Sequence, residues 1–213
     1  IVECYGDNVG YEVKPEIVQY LAEINGKREI KGGTPYNTSI CYSNTEARKI
    51  IINDVANYLE EHPQVDYLHF WLADGYNNQC ECENCRKMIP SDYYVILLNE
   101  LDELLTKKGI NTKIVFLIYN DLLWAPEKQV IKNPNRFVLM FAPISRSFST
   151  PFEPVEELPE LPKYERNNLT FTSDLKVNLA FLKEWQRIFK GDSFDFDYHF
   201  MWDHYVDPGY YKI

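Results

Sequence analysis

The chain has 213 residues, 45% hydrophobic and 25% charged, a size and balance suited to one soluble domain with a sizeable core. Its formal charge is −10, from 32 acidic against 22 basic residues, and no basic stripe of the kind that tracks phosphates is present. Nucleic acid is therefore excluded as an expected partner, and no apolar run reaches the roughly 18–20 residues of a membrane helix. The chain begins at Ile1 without a methionine and shows no signal peptide. It reads as a piece of a longer polypeptide, so the missing signal says nothing about export.

Residues 1–213 read as a single domain built of strand-then-helix units. The first forty residues are poorly patterned, with a weak strand near Ile1–Tyr5. Ile40-Cys41-Tyr42 reads as a short strand, and Ser43-Asn44-Thr45-Glu46 is a capping-box pattern that opens a helix. Ala47, Ile50, Ile51, Val55, Tyr58 and Leu59 recur at helical spacing until His62-Pro63 ends the run. Val65 to Leu72 is a near-continuous apolar strand, of the kind buried on both faces of a parallel sheet. Pro90-Ser91-Asp92 then opens a helix with Val95, Leu98, Leu101 and Leu105 on one stripe, closed by Gly109.

Lys113 to Tyr119 is the next strand, and a short helical turn is expected near Glu127–Ile131 before the strand Arg136 to Ala142. Residues 143–172, with Pro151, Pro154, Pro159 and Pro162, read as a long irregular insertion. Ser173-Asp174 starts a last helix with Leu175, Leu179, Leu182, Trp185 and Phe189 inward, followed by a strand from Phe194 to Phe200. Alternating strands and helices imply an α/β fold with parallel pairing and right-handed crossovers. No glycine-rich nucleotide loop follows any strand, which favours part of a (β/α)8 TIM-like barrel over a doubly wound sheet.

The strand ends carry the candidate chemistry, as the rim of a barrel would. They supply the carboxylates Asp74, Asp121 and Asp203, the cation Arg146, and the amides Asn77, Asn78 and Asn120. The rings Tyr76, Tyr119, Trp124, Trp202 and Tyr205 and the imidazole of His204 complete the set. Amides and carboxylates chelate neighbouring hydroxyls while an aromatic face covers the C–H side of a sugar ring, so an oligosaccharide or glycan is the expected partner. Glycoside hydrolysis also needs one protonated carboxyl and a second group as base or nucleophile. Asp74 leads because Gly75 lets the chain turn sharply beside it; the alternative is a turn-forming Asp-Gly pair. For Asp121 and Asp203 the alternative is a helix cap or a loop hydrogen bond. The 16 Tyr, 12 Phe and 4 Trp serve either such stacking or simply the core and surface.

The most specific local feature is Cys80-Glu81-Cys82-Glu83-Asn84-Cys85, three thiols within six residues. Converging thiolates are good zinc ligands, and a strand ending at Cys41 beside Val65–Leu72 would bring a fourth to the same rim. The set Cys41, Cys80, Cys82 and Cys85 is thus a candidate structural zinc site, with a disulfide or free thiols as alternatives. Such a set leaves no open coordination position, so catalysis as read here requires no cofactor.

His69-Phe70-Trp71-Leu72-Ala73-Asp74-Gly75 running into Cys80-Glu81-Cys82 and Cys85 resembles bacterial proteins carrying domain of unknown function 4838. The resemblance continues through Ser91-Asp92-Tyr93-Tyr94, Leu97-Leu98-Asn99-Glu100 and Trp202-Asp203-His204-Tyr205, from about Ile40 to the end. It implies a glycosidase-like barrel within a larger, exported protein of glycan-degrading bacteria, partnered by other domains of the same polypeptide. The family is similar to the α-glucuronidases and hexosaminidases, and one branch looks like the endo-β-N-acetylglucosaminidases of glycoside hydrolase family 163. Here Asp74-Gly75 stands where substrate-assisted hexosaminidases carry an Asp-Glu pair. The expected activity is glycoside hydrolysis of glycans containing N-acetylhexosamine or uronic acid. A non-catalytic carbohydrate-binding barrel is the alternative, and a structural module organised around the cysteine loop is a third.

Overall fold

The computed structural model describes residues 15–198, apart from 148, 149, 152, 154 and 156. After a single turn, α1 (Pro15–Val18), the chain forms a hairpin of β1 (Glu23–Ile24) and β2 (Lys27–Arg28). Its turn is Asn25-Gly26, both at positive φ (51° and 75°), the backbone that matches the right-handed twist of a two-residue hairpin. The strand expected at Ile40–Tyr42 is reduced to one antiparallel bridge between Leu21 and Ile40, flanked by Cys41 N–H donating to Tyr20 O (2.8 Å). This segment is claimed by the hairpin region and adds no strand to the main sheet.

Helix α2 (Thr45–Glu61) is capped by Asn44, whose side-chain oxygen accepts from the N–H groups of Glu46 (2.9 Å) and Ala47 (3.2 Å). Ser43, the expected capping serine, turns to the cysteines instead. The buried stripe is Ala47, Ile52, Ala56 and Leu59, rotated from the expected one so that Tyr58 faces solvent. Helix α3 (Pro90–Lys107) starts on Pro90 and buries Tyr94, Leu97, Leu98, Leu101 and Leu105 completely; Gly109 ends it in left-handed backbone (φ 71°). Helix α4 (Leu175–Ile188), capped by Asp174, buries Leu175, Ala180, Phe181 and Trp185, while Leu179 and Leu182 are half-buried.

The main sheet has four strands, all parallel and in sequence order: β3 (Tyr67–Phe70), β4 (Lys113–Ile118), β5 (Phe137–Phe141) and β6 (Asp192–Asp195). Side chains alternate across it. Phe70, Ile114, Phe116, Ile118, Phe137, Leu139 and Phe141 share one core with the three long helices. Phe116 is ringed by Phe137, Trp185 and Phe189, at centroid distances of 6.2, 5.7 and 5.1 Å. The other face carries Val115, Leu117, Val138, Met140 and Ala142, with Tyr119 and Tyr198 packed on them. Among the described residues the sheet is open, with β3 and β6 as its edges. The expected α/β class with parallel pairing is therefore present, as an open sheet rather than a closed barrel.

The β4–β5 connection has no helical turn at 127–131; its 3-10 turns lie at Asn120–Leu123 and Pro134–Arg136. Side chains of α3 satisfy that backbone in place of helical bonds. Asp92 accepts from Lys128 N–H (2.7 Å) and Gln129 N–H (2.9 Å), while Asn99 donates to Val130 O and accepts from Lys132 N–H. Gly191, just before β6, is required by space, since a Cβ there would lie 2.7 Å from Pro134 O. No described helix is long and apolar enough to cross a membrane.

Candidate metal centre and strand-end rim

The hairpin and the loop after β3 together build the cysteine centre. Sγ of Cys41 lies 3.7 Å from that of Cys82 and 3.8 Å from that of Cys85, and all four sulfurs of Cys41, Cys80, Cys82 and Cys85 lie within 4.8 Å of one another. All four are free thiols rather than disulfides, and Cys41, Cys80 and Cys85 are buried. Backbone N–H groups point at sulfur, from Glu23 to Cys80 (3.3 Å) and from Cys85 to Cys82 (3.5 Å). Hydrogen bonding with Cys80 and Cys85 holds the Cys41 thiol well below its usual value, and the same contact with Cys41 pushes Cys85 up.

The fit to an ion is geometric. Four sulfurs bonded tetrahedrally at about 2.3 Å stand about 3.8 Å apart, close to the 3.7 and 3.8 Å that separate Cys41 from Cys82 and Cys85. The four side chains form a group that could hold a metal ion. Arg28 on β2 lies against it, its guanidinium 3.9 Å from Cys80 Sγ and bonded to Leu21 O and Glu23. Burial opposes its charge, but hydrogen bonding and charge from Cys41 outweigh this and leave its pKa raised. Neither Arg28 nor the hairpin was among the sequence-derived candidates. The Asn25-Gly26 pair between short polar runs was the available signal.

The strand-end candidates divide sharply. Where β3 and β4 part beyond Phe70 and Phe116, the Tyr94 hydroxyl donates to Phe70 O and accepts from Leu117 N–H (3.2 Å). Just past this point Asp74 is exposed, with its N–H on Tyr36 O (2.8 Å) and its carboxylate near the Tyr119 ring. Burial, then the Asp74 charge, pushes the Tyr119 hydroxyl up; burial, then Tyr119 and Asp74, brings Tyr198 to about 12. Trp71 and Tyr76 are 46% and 47% exposed nearby in the chain, Tyr76 standing edge-on to Phe171 (4.9 Å) with Lys31 Nζ 5.9 Å from its ring centre. Gly75 does not take left-handed backbone. Its role is close approach, since a Cβ would meet Asn78 Nδ2 at 3.0 Å.

The remaining candidates hold the fold together. Asp121 is 1% exposed and accepts from the Tyr164 hydroxyl (2.8 Å); burial raises its pKa, and the Tyr164 bond only partly opposes this. Asn120, at φ 50°, is buried and donates to Gly75 O (3.1 Å). Asn78 is buried and donates to Asn37 O (2.8 Å), and Asn77 pairs with the backbone of Leu169. Trp124 donates to Pro162 O (2.7 Å), and Arg146 is engaged bidentately by Asp197. The amides of Asn77, Asn78 and Asn120 each bond loop backbone, and Arg146 bonds both backbone and a carboxylate. Trp202, Asp203, His204 and Tyr205 lie outside the described residues.

Residues 143–172 hold no helix or strand among the described residues, and are fastened from 162 onward. Arg166 donates to Cys80 O (3.1 Å), Cys85 O (2.8 Å) and Met88 O (2.7 Å). Asn167, at φ 57°, exchanges hydrogen bonds with the backbone of Gln79 and donates to Glu81.

No curated protein and no solved structure matches the chain. The profile of one family, described as Domain of unknown function (DUF4838), matches residues 6–207, nearly the whole length. The match spans both the thiols that converge and the strand ends that carry Asp74 and Tyr119, and this chain belongs to the domain of unknown function 4838 family.

Proposed function

We propose that this chain is part of a (β/α) barrel that acts on glycans at its C-terminal rim as a glycoside hydrolase, with a structural zinc in the four-cysteine centre. Four parallel strands in sequence order, with the long helices on one face, are the topology from which such barrels are wound. The observation that carries the site is Asp74: an exposed strand-end carboxylate near Tyr119 and Tyr198, flanked in the chain by the exposed rings of Trp71 and Tyr76. A ring can lie on the aromatic faces while the carboxyl reaches its glycosidic oxygen or acetamido group. Asp74 would then serve as acid or as the group that orients the acetamide, with the Tyr119 hydroxyl fixing its direction.

Zinc suits the centre because four thiolates fill a tetrahedron and leave no position for substrate. Four thiolates and one divalent ion sum to about −2, and the adjacent Arg28 offsets part of that charge. On this reading the metal braces the loop that also carries Asp74 and takes no part in the chemistry. The same proposal includes an exported, multidomain polypeptide as the setting of the barrel.

A second reading, glycan binding without hydrolysis, is favoured by the burial of Asp121 beneath Tyr164, which removes one expected partner for Asp74. The test is a screen of the full-length protein against acetamido-sugar and uronic-acid glycosides, with Asp74→Asn as control. Hydrolysis that the substitution abolishes supports the first reading, and binding without turnover selects the second. Unchanged turnover in the variant removes Asp74 from the mechanism. Metal analysis should return one zinc per chain; four reactive thiols and no metal would end the zinc assignment.

A further inference from the structure

We infer that the four-cysteine centre is the anchor of residues 157–172, and that metal occupancy decides whether this strap lies across the strand ends and covers Asp121. The inference rests on the metal reading above and adds a consequence for the rim. Arg166 is the positioning residue. Its guanidinium binds carbonyls at Cys80, Cys85 and Met88, on both sides of the metal-binding turn. Asn167 adds three more hydrogen bonds to the same loop, two with the Gln79 backbone and one to Glu81 Oε1 (2.7 Å).

The loop receiving these bonds has little structure of its own. Between Asp74 and Pro90 its only regular element among the described residues is the 3-10 turn Cys85–Lys87. The carbonyls of Cys80 and Cys85 converge on one guanidinium because their side chains converge on Cys41. An ion bonded to all four sulfurs fixes that convergence. Without it, close thiolates repel and the carbonyl cradle loses its shape.

Two residues before Arg166, the strap places Tyr164 over the rim. Its hydroxyl caps Asp121 (2.8 Å) and its ring stands edge-on to Trp124 (5.4 Å), whose indole N–H is held by Pro162 O (2.7 Å). Beyond it, Leu169 N–H donates to Asn77 Oδ1 (2.7 Å) on the loop that follows Asp74. Beneath the strap, Asp121 Oδ2 and Asn120 Oδ1 are buried and lack a hydrogen-bond partner. Releasing the strap would present a second carboxylate and an indole face at the rim that Asp74 already occupies.

Hydrogen exchange on the full-length protein tests this. Removing the metal with a chelator should speed amide exchange across residues 163–169 at least tenfold, while α3 stays protected. Arg166→Ala in the metal-loaded protein should release the same segment with one metal per chain retained. Unchanged protection of the strap after metal loss would overturn the inference and leave the zinc assignment intact. So would an Arg166→Ala protein that keeps full strap protection. If chelation also exposes α3, the Arg166→Ala protein decides alone. A purified protein with no metal and a protected strap would sink the zinc assignment and this inference together.

Discussion

The cysteine centre and the Asp74 rim are carried by the same loop after β3, yet they are built in opposite ways. At the centre, four side chains of one chemical type meet from two distant stretches of chain, three of them buried, with N–H groups and Arg28 against them. At the rim, Asp74 and the rings of Trp71 and Tyr76 face solvent with few contacts. Burial of neighbouring thiolates is unfavourable unless something compensates them, and this cluster is one that could hold a metal ion. Exposure at the rim calls for nothing by itself. It leaves surface available for a ligand, and the chemistry must be established by experiment.

The largest expected effect breaks the centre. Cys85→Ser should lose the metal and more than about 4 kcal/mol of stability, read by chemical denaturation. A variant without metal but with native stability would show that the centre braces nothing. Next, Asp74→Asn should lower glycoside turnover by about 100-fold or more, while leaving stability within about 0.5 kcal/mol. Loss of folding instead would make Asp74 a structural residue and erase the contrast between the two regions. Tyr119→Phe removes a hydroxyl near Asp74 and should reduce turnover by about fivefold, the equivalent of one hydrogen bond of about 1 kcal/mol.

The smallest effect concerns Asp121 and is read in pH dependence. Burial raises its folded pKa above the ordinary 3.8, so the folded protein holds this proton more tightly than the unfolded chain. That contribution to stability is complete below the ordinary value and is lost as pH rises through the raised folded value. Asp121→Asn should therefore flatten the acid side of the stability curve and change neutral-pH stability by no more than about 1 kcal/mol. Urea titrations across the acid range measure it. An unchanged pH profile would mean that the Asp121 carboxyl is not held in the buried state described.

The periodic elements were legible because apolar spacing reports directly on which face of a helix or strand is buried. The stripe Val95, Leu98, Leu101 and Leu105 lies inward, and the strands from Lys113 and from Arg136 begin and end within a residue or so of the expected bounds. The thiol cluster was legible because three cysteines in six residues are informative at any fold. Caps and loops were not. Ser43 and Asn44 are both good capping residues, and only the nearby sulfurs divert Ser43 and leave the cap to Asn44. Nothing in the sequence marks the backbone groups that Asn77, Asn78 and Asn120 bond, because irregular backbone has donors and acceptors to satisfy wherever the fold places them.

By itself, then, the sequence determined the order of strands and helices, the parallel α/β class and the identity of the four thiols. Each depends on local spacing or on residue type. Only the tertiary structure decided that Cys41 arrives through a bridge to Leu21, that Arg28 and Arg166 flank the cysteine loop, and that Asp121 is sealed while Asp74 is open. Those outcomes depend on which distant groups meet, and a polar side chain in a loop carries no local mark of the partner that will satisfy it.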